Sequence, residues 1–385
     1  MDKFIPLSVP NLKGREVEYV TTAVETEWVS TGGPYVNEFE EKIAQYVHSE
    51  GAVSCQNGTS GIHVALQVCG VTGEDEVIVP TLTFIAAVNP VKYIHADAVF
   101  MDCDDSLTMD PDKLMGFMQR ECIFTDRRLI NKRTNKQIKA IIVVHVFGNL
   151  ADMEVIMKIA DEFNLIVIED ATEALGTYYK EGRYKGKYAG TIGTVGIYSF
   201  NGNKIITTGG GGMIVSANKE LLRRAKHLTT QAKSDELYFI HDEIGYNYRM
   251  TNLQAALGLA QLEQLEDFII TKKKNYELYQ KNFRDIQGLS LMDYRSNTRW
   301  NSWFYSMFCD DTYPMNRDEV IRYLSSKGIQ ARPVWGLIHT QGPYLDSQNY
   351  YIEKAEHYLK HIVNIPCSSN LSEEDLLYVV ECLKV

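Results

Sequence analysis

Ala140-Ile141-Ile142-Val143-Val144-His145, a segment over 152–163, and Leu165-Ile166-Val167-Ile168-Glu169-Asp170 together decide the fold of this chain. The two outer runs are continuously apolar and of strand length, while 152–163 has its apolar positions at helical spacing. A strand that is apolar on both faces must be covered on both faces. Strand, helix, strand therefore predicts a parallel pair with the helix packed over it. The same strand pattern recurs at 76–80 and 98–102 upstream and at 195–200 downstream. The expectation is an α/β chain built on a mostly parallel sheet. Ligands of such sheets sit beyond the carboxyl ends of the strands, which points to His145, Asp170 and Ser199.

The rest of the chain is organised around that sheet. With 385 residues there is enough chain for a large core and a second, smaller domain. The character changes near Arg249: 252–268 reads as one long helix, and the remainder alternates helix and strand patterns on a smaller scale. Residues 1–255 are expected to form the large domain and 256–385 the small one, with the N-terminal segment free to pack on the latter. Lys272-Lys273-Lys274 reads as a solvated helix face, and 120–139 as an exposed excursion before a strand. A net charge of −11 argues against nucleic acid or an anionic membrane as partner. Seven cysteines without a C-x-x-C pair read as free thiols in a reducing compartment. No signal peptide and no membrane-spanning run are visible, so a cytoplasmic protein is expected. No metal-ligand motif is present.

Lys204 is the only charged residue between Ala189 and Asn218. Buried there, its ammonium form would be disfavoured, leaving the neutral amine that imine chemistry needs. The alternative is a loop-tip lysine whose stem reaches out to water. Asp170 can pair with a protonated ring nitrogen, or it can simply cap a following helix over 171–174. Asn57-Gly58-Thr59-Ser60-Gly61 before a helical pattern suits an anion or is an ordinary cap. Ser199 could add a hydroxyl to the same anion. Phe84 could stack on a ring or pack in the core. Gly209-Gly210-Gly211-Gly212 marks a tight turn beside Lys204. Neither this run nor Gly190-x-x-Gly193-x-x-Gly196 has the spacing of a dinucleotide fingerprint, which speaks against a nicotinamide-dependent oxidoreductase.

The order of these segments resembles the fold type I aminotransferases of the sugar-nucleotide group, the DegT/DnrJ/EryC/StrS family, over nearly the whole chain. Matching segments include Ser30-Thr31-Gly32-Gly33, Asn57 to Ser60, Val144 to Asn149, Ile168 to Ala171, Ser199 to Lys204 and Gly245 to Met250. The resemblance implies a large domain with a mostly parallel seven-stranded sheet, a smaller C-terminal α/β domain, and pyridoxal 5'-phosphate as cofactor. It implies Lys204 as the Schiff-base lysine and Asp170 on the pyridinium nitrogen, with Phe84 stacked on the ring. Gly58, Thr59, Ser60 and Ser199 would lie at the phosphate, Glu173 near the cofactor hydroxyl, and Asn247 at the phosphate of the neighbouring subunit in a homodimer. Finer similarity in Lys226 to Thr230, His241 to Gly245 and Arg332 to Trp335 looks like the branch aminating UDP-2-acetamido-2,6-dideoxy-hexos-4-ulose with L-glutamate. That branch serves bacillosamine and legionaminic acid synthesis, and Ser30, His339 and Gln341 would touch sugar or nucleotide. A GDP-4-keto-6-deoxymannose aminase is the nearest rival. A non-catalytic regulator is another, although no basic DNA-binding module accompanies the chain.

Overall fold

In the computed structural model, which describes residues 4–385, Gln137–Val144 and Ile166–Asp170 are adjacent parallel strands. Ala140 stands opposite Ile166 and Val144 opposite Asp170. The helix Met153–Glu162 connects them, capped by the Asp152 carboxylate, which accepts from the Val155 amide at 3.2 Å. Its Met153, Ile156, Ile159 and Ala160 are buried, as the spacing required.

The sheet runs Ala52–Cys55, Gly212–Val215, Val195–Ser199, Ile166–Asp170, Gln137–Val144, Asp75–Pro80, Asp97–Met101, Gln348–Tyr350. Along this path Gly212–Val215 opposes both its neighbours, and the pairings from Val195–Ser199 onward are parallel. The first seven strands are the sheet expected from the sequence, but the full sheet has ten. Two of the extra strands, Cys122–Thr125 and Arg128–Asn131, form a hairpin whose second strand pairs antiparallel with Gln137–Val144. The stretch read as an exposed excursion is therefore sheet. Leu129 is buried, and the buried Asn131 amide donates to Glu76 and Gln348 at 2.7 and 2.8 Å. The tenth strand, Gln348–Tyr350, comes from the C-terminal part and pairs with Asp97–Met101.

A second, antiparallel sheet is ordered Leu289–Leu291, Tyr305–Cys309, Ile362–Ile365, Arg332–Pro333. The N-terminal segment lies along this region: the Ile5 amide donates to Gly328 O at 2.8 Å, and the Cys367 amide to Leu7 O at 2.8 Å. The single helix expected over 252–268 is two, Asn252–Leu262 and Leu265–Phe283. At the break, the Gln264 side-chain amide donates to Glu16 at 2.7 Å instead of facing solvent. The second helix buries Phe268, Lys272, Tyr276, Tyr279 and Phe283 along one stripe. Lys272 is thus not on a solvated face. Its ammonium donates to Cys367 O, and burial pushes its pKa down, while Lys273 and Lys274 stay exposed. Among the described residues no helix is long and apolar enough to cross a membrane.

Candidate active site

The helix Gly58–Val68 begins where the strands Ile166–Asp170 and Val195–Ser199 end, and the junction encloses a cavity of about 200 Å³. Asn57 starts the helix: its Oδ1 accepts from the Ser60 amide at 2.8 Å and from the Ser60 hydroxyl at 3.0 Å. The Gly58 and Thr59 end of the helix is left facing the cavity, where free N–H groups and the helix dipole favour an anion. Ser199 lines the same wall. A Cβ on Gly58 would stand 2.8 Å from Thr172 Cγ2 and 3.3 Å from Ser199 Cβ, so a side chain there would crowd the cradle. Ser60 turns back to its cap and does not line the cavity.

Asp170 faces the cavity from its strand end. Residues 171–176 form turns, not the helix considered from the sequence, although the carboxylate still accepts from the Thr172 amide at 3.0 Å. Burial raises its pKa, against the pull of Thr172 and the Lys204 charge. A buried carboxylate on a cavity wall is suited to a cationic or protonated ligand atom. Phe84 is 54% exposed and lines the same cavity, so its ring is not core. His145 does not join them. It is fully buried, Nε2 lies 2.9 Å from Glu169, and Nδ1 accepts from the Ala151 amide at 3.2 Å.

Lys204 closes the cavity. Its side chain is largely buried, with Nζ 3.5 Å from Glu173 Oε1 and 4.4 Å from the centre of the Trp303 ring. The loop-tip alternative is therefore not the one realised. Gly209, at φ +77, makes the turn beyond it. Glu173 is buried, and its other oxygen accepts from the Phe147 amide at 2.7 Å. Burial pushes its pKa up to about 7. Phe147 holds a left-handed backbone at φ +55, with its ring stacked on Trp335 at 4.8 Å. Neither Phe147 nor Trp303 was singled out from the sequence. Trp303 lies about a hundred residues beyond Lys204 and carries no local signal linking the two.

The remaining candidates lie elsewhere. Asn247 is exposed, in a separate concavity with Thr31, Gln231 and Arg249. Ser30 is exposed and accepts from the Asn252 amide through its carbonyl at 2.6 Å. His339 Nδ1 is 2.6 Å from the Thr81 hydroxyl, and the Gln341 amide donates to Gly336 O at 2.9 Å. His339 thus braces the loop that carries Phe84, since Thr81 starts it.

A sequence profile described as the DegT/DnrJ/EryC1/StrS aminotransferase family matches residues 10–384. The chain belongs to this family. GDP-perosamine synthase of Escherichia coli O157:H7 is 38% identical over 99% of this chain and 98% of its own length. UDP-4-amino-4,6-dideoxy-N-acetyl-beta-L-altrosamine transaminase of Campylobacter jejuni is 29% identical over 98% and 96%. A crystal structure of DesI in the presence of its TDP-sugar product superposes with a TM-score of 0.87 at 25% identity, covering 100% of this chain and 93% of that one. As a DegT-family member the chain is a pyridoxal-phosphate-dependent sugar aminotransferase with the α/β fold expected of it.

Proposed function

We propose that the chain moves the amino group of L-glutamate to C4 of a nucleotide-linked 4-keto-6-deoxy sugar. The observation that carries this reading is the convergence of an amine, a buried carboxylate and an exposed aromatic ring on one cavity at a helix N-terminus. Bound pyridoxal phosphate supplies a carbonyl carbon that condenses with amines and a ring that withdraws electrons from the carbon next to them. In our reading Gly58, Thr59, Ser60 and Ser199 hold its phosphate, Asp170 holds the proton on the ring nitrogen, and Phe84 covers the ring. Ser60 would act by fixing Asn57, to which both its amide and its hydroxyl donate. Lys204 Nζ carries the proton between the reacting carbons, and one amine can serve both half-reactions from one face. Glu173 stands beside that amine.

Asn247 supports an extension to a homodimer. It lies outside the cavity, yet beside a rim with Arg249, as expected of a residue that serves a neighbouring subunit's phosphate. The seven cysteines are unpaired in the structure, which suits a reducing, cytoplasmic setting.

Two nucleotide sugars compete. The segments Lys226 to Thr230, His241 to Gly245 and Arg332 to Trp335 favour UDP-2-acetamido-2,6-dideoxy-hexos-4-ulose, and with it bacillosamine or legionaminic acid synthesis. The 38% identity to a GDP-perosamine synthase favours GDP-4-keto-6-deoxymannose. The test is turnover of the cofactor-loaded protein with L-glutamate and each keto sugar, reading 2-oxoglutarate and the amino sugar by mass spectrometry. Equimolar formation of both products with one substrate is expected. No product from any nucleotide-linked keto sugar overturns the reading.

A further inference from the structure

We propose that Glu173 is the proton-holding partner of Lys204: the carboxyl and the amine share one proton, so the amine can become neutral without releasing that proton to water. The inference rests on the reading of Lys204 as the reacting amine. It begins from geometry. Oε1 of Glu173 lies 3.5 Å from Lys204 Nζ, and Oε2 is fixed by the Phe147 amide at 2.7 Å. The backbone of Glu173 is fixed as well, its carbonyl accepting from the Asn301 side-chain amide at 2.8 Å. The same packing requires Gly148, at φ +83, because a Cβ there would stand 2.1 Å from Asn301 Oδ1 and 3.0 Å from Glu173 O. A carboxyl held at both ends in this way stays where it is when its proton moves.

Charged groups facing the pair are few. Among the described residues the charged side chains lining the cavity are Asp170, Glu173 and Lys204. Trp303 covers Nζ with an uncharged ring face, and Phe147 contributes an amide. Asp170 disfavours a charge on Glu173 and the Lys204 ammonium favours it, while burial, the largest influence, disfavours it. Burial and Asp170 thus both favour a proton on the Glu173 carboxyl that faces Nζ.

The step balances simply. The N–H bond of the Lys204 ammonium breaks, the proton joins a Glu173 oxygen, and a charged pair becomes a neutral one. No electron is transferred and nothing else is consumed. Reversal restores the ammonium once the amine has done its work. With both side chains largely out of water, an ion pair carries a desolvation cost that a neutral pair avoids, so a buried acid suits this role better than an exposed one.

Glu173→Gln tests the idea, because it preserves shape and the acceptor for Phe147 but cannot ionise. The readout is acetylation of Lys204 in cofactor-stripped, full-length protein, followed by peptide mass spectrometry across pH. Wild-type labelling is expected to follow two titrations, one near neutrality, and the variant only one. Near neutral to mildly alkaline pH the variant should label roughly tenfold faster, since it lacks the carboxylate that favours the ammonium. In the loaded enzyme, kcat/KM for glutamate should lose the limb near neutrality while KM changes little. Identical labelling curves for the two proteins overturn the proposal. Should the variant not fold, a wild-type curve with a single titration overturns it too. Failure to aminate any sugar would sink the functional reading while leaving the labelling curves as they are.

Discussion

Two concavities of this molecule invite comparison: the inner cavity around Lys204 and the outer one around Asn247. The inner cavity is lined by Lys204, Asp170, Glu173 and the start of the Gly58–Val68 helix. Its helix end is capped, both carboxylates are buried and bonded, and its amine has a partner. The outer one is open. Asn247 is exposed, and Arg249 Nε is buried with no hydrogen-bond partner among the described residues. The neighbouring hairpin displays Leu237, Tyr238 and Phe239 at 76, 73 and 69% exposure. Apolar side chains at that exposure are what a contact between chains would cover. The difference is one of closure: the reacting groups of the inner cavity are largely buried and partnered, while the outer concavity keeps Asn247 and the neighbouring apolar side chains exposed.

The largest effect expected from breaking the inner region is that of Lys204→Ala. Turnover should fall by roughly 10²–10⁴-fold, the span typical of losing a proton-transferring group. Borohydride reduction should then no longer fix the cofactor to the protein. Unchanged turnover would remove the distinction between the two regions.

Glu173→Gln should next alter stability, with a sign fixed by linkage. Burial raises the Glu173 pKa from 4.5 to about 7, so the folded value lies above the unfolded one. Its contribution is therefore complete below pH about 4.5 and is lost as the pH rises toward 7. At about 1.4 kcal/mol per unit, the wild type should lose roughly 3 kcal/mol across that window, and the variant should not. Urea unfolding of stripped protein at each end of the window measures the difference. A gap that stays constant with pH would mean that Glu173 titrates normally. Asp170→Asn should cost about 10- to 100-fold in cofactor affinity, the worth of one hydrogen bond to a charged group. A spectroscopic titration with pyridoxal phosphate measures it.

The two regions also differ in how far they can be read from sequence. The inner one is built from strand ends and a helix start, and those follow from local periodicity. Asp170, Ser199 and Lys204 reach the cavity because their strands or turns end there. The contributions of Phe147 and Trp303 come from contacts between distant segments, and nothing in their neighbours announces them. Lys272 teaches the same point in reverse. Its two lysine neighbours suggested water, but helical spacing from Phe268 and Tyr276 places it inside. The edge strands at 122–131 and 348–350 were missed because polar residues interrupt them, and their burial arises from pairing with strands far away in sequence.

The smallest expected effect belongs to the outer region and separates it most cleanly from the inner one. Asn247→Ala removes one neutral donor to the phosphate, so cofactor affinity should fall about tenfold, the low end for a hydrogen bond to a charged group. Were Asn247 to serve its own chain, the loss would follow each subunit separately. If it serves the neighbour, a mixture with Lys204→Ala subunits behaves differently. In a mixed dimer one cavity has Lys204 and receives an intact Asn247 from the other chain, so that cavity should regain wild-type affinity. The other cavity has neither, and stays silent. Titrating pyridoxal phosphate into refolded mixtures and following glutamate turnover per active cavity measures this recovery. Affinity that stays at the Asn247→Ala value at every mixing ratio would place the residue's influence within its own chain, and the outer concavity would then need another explanation for its exposed rim.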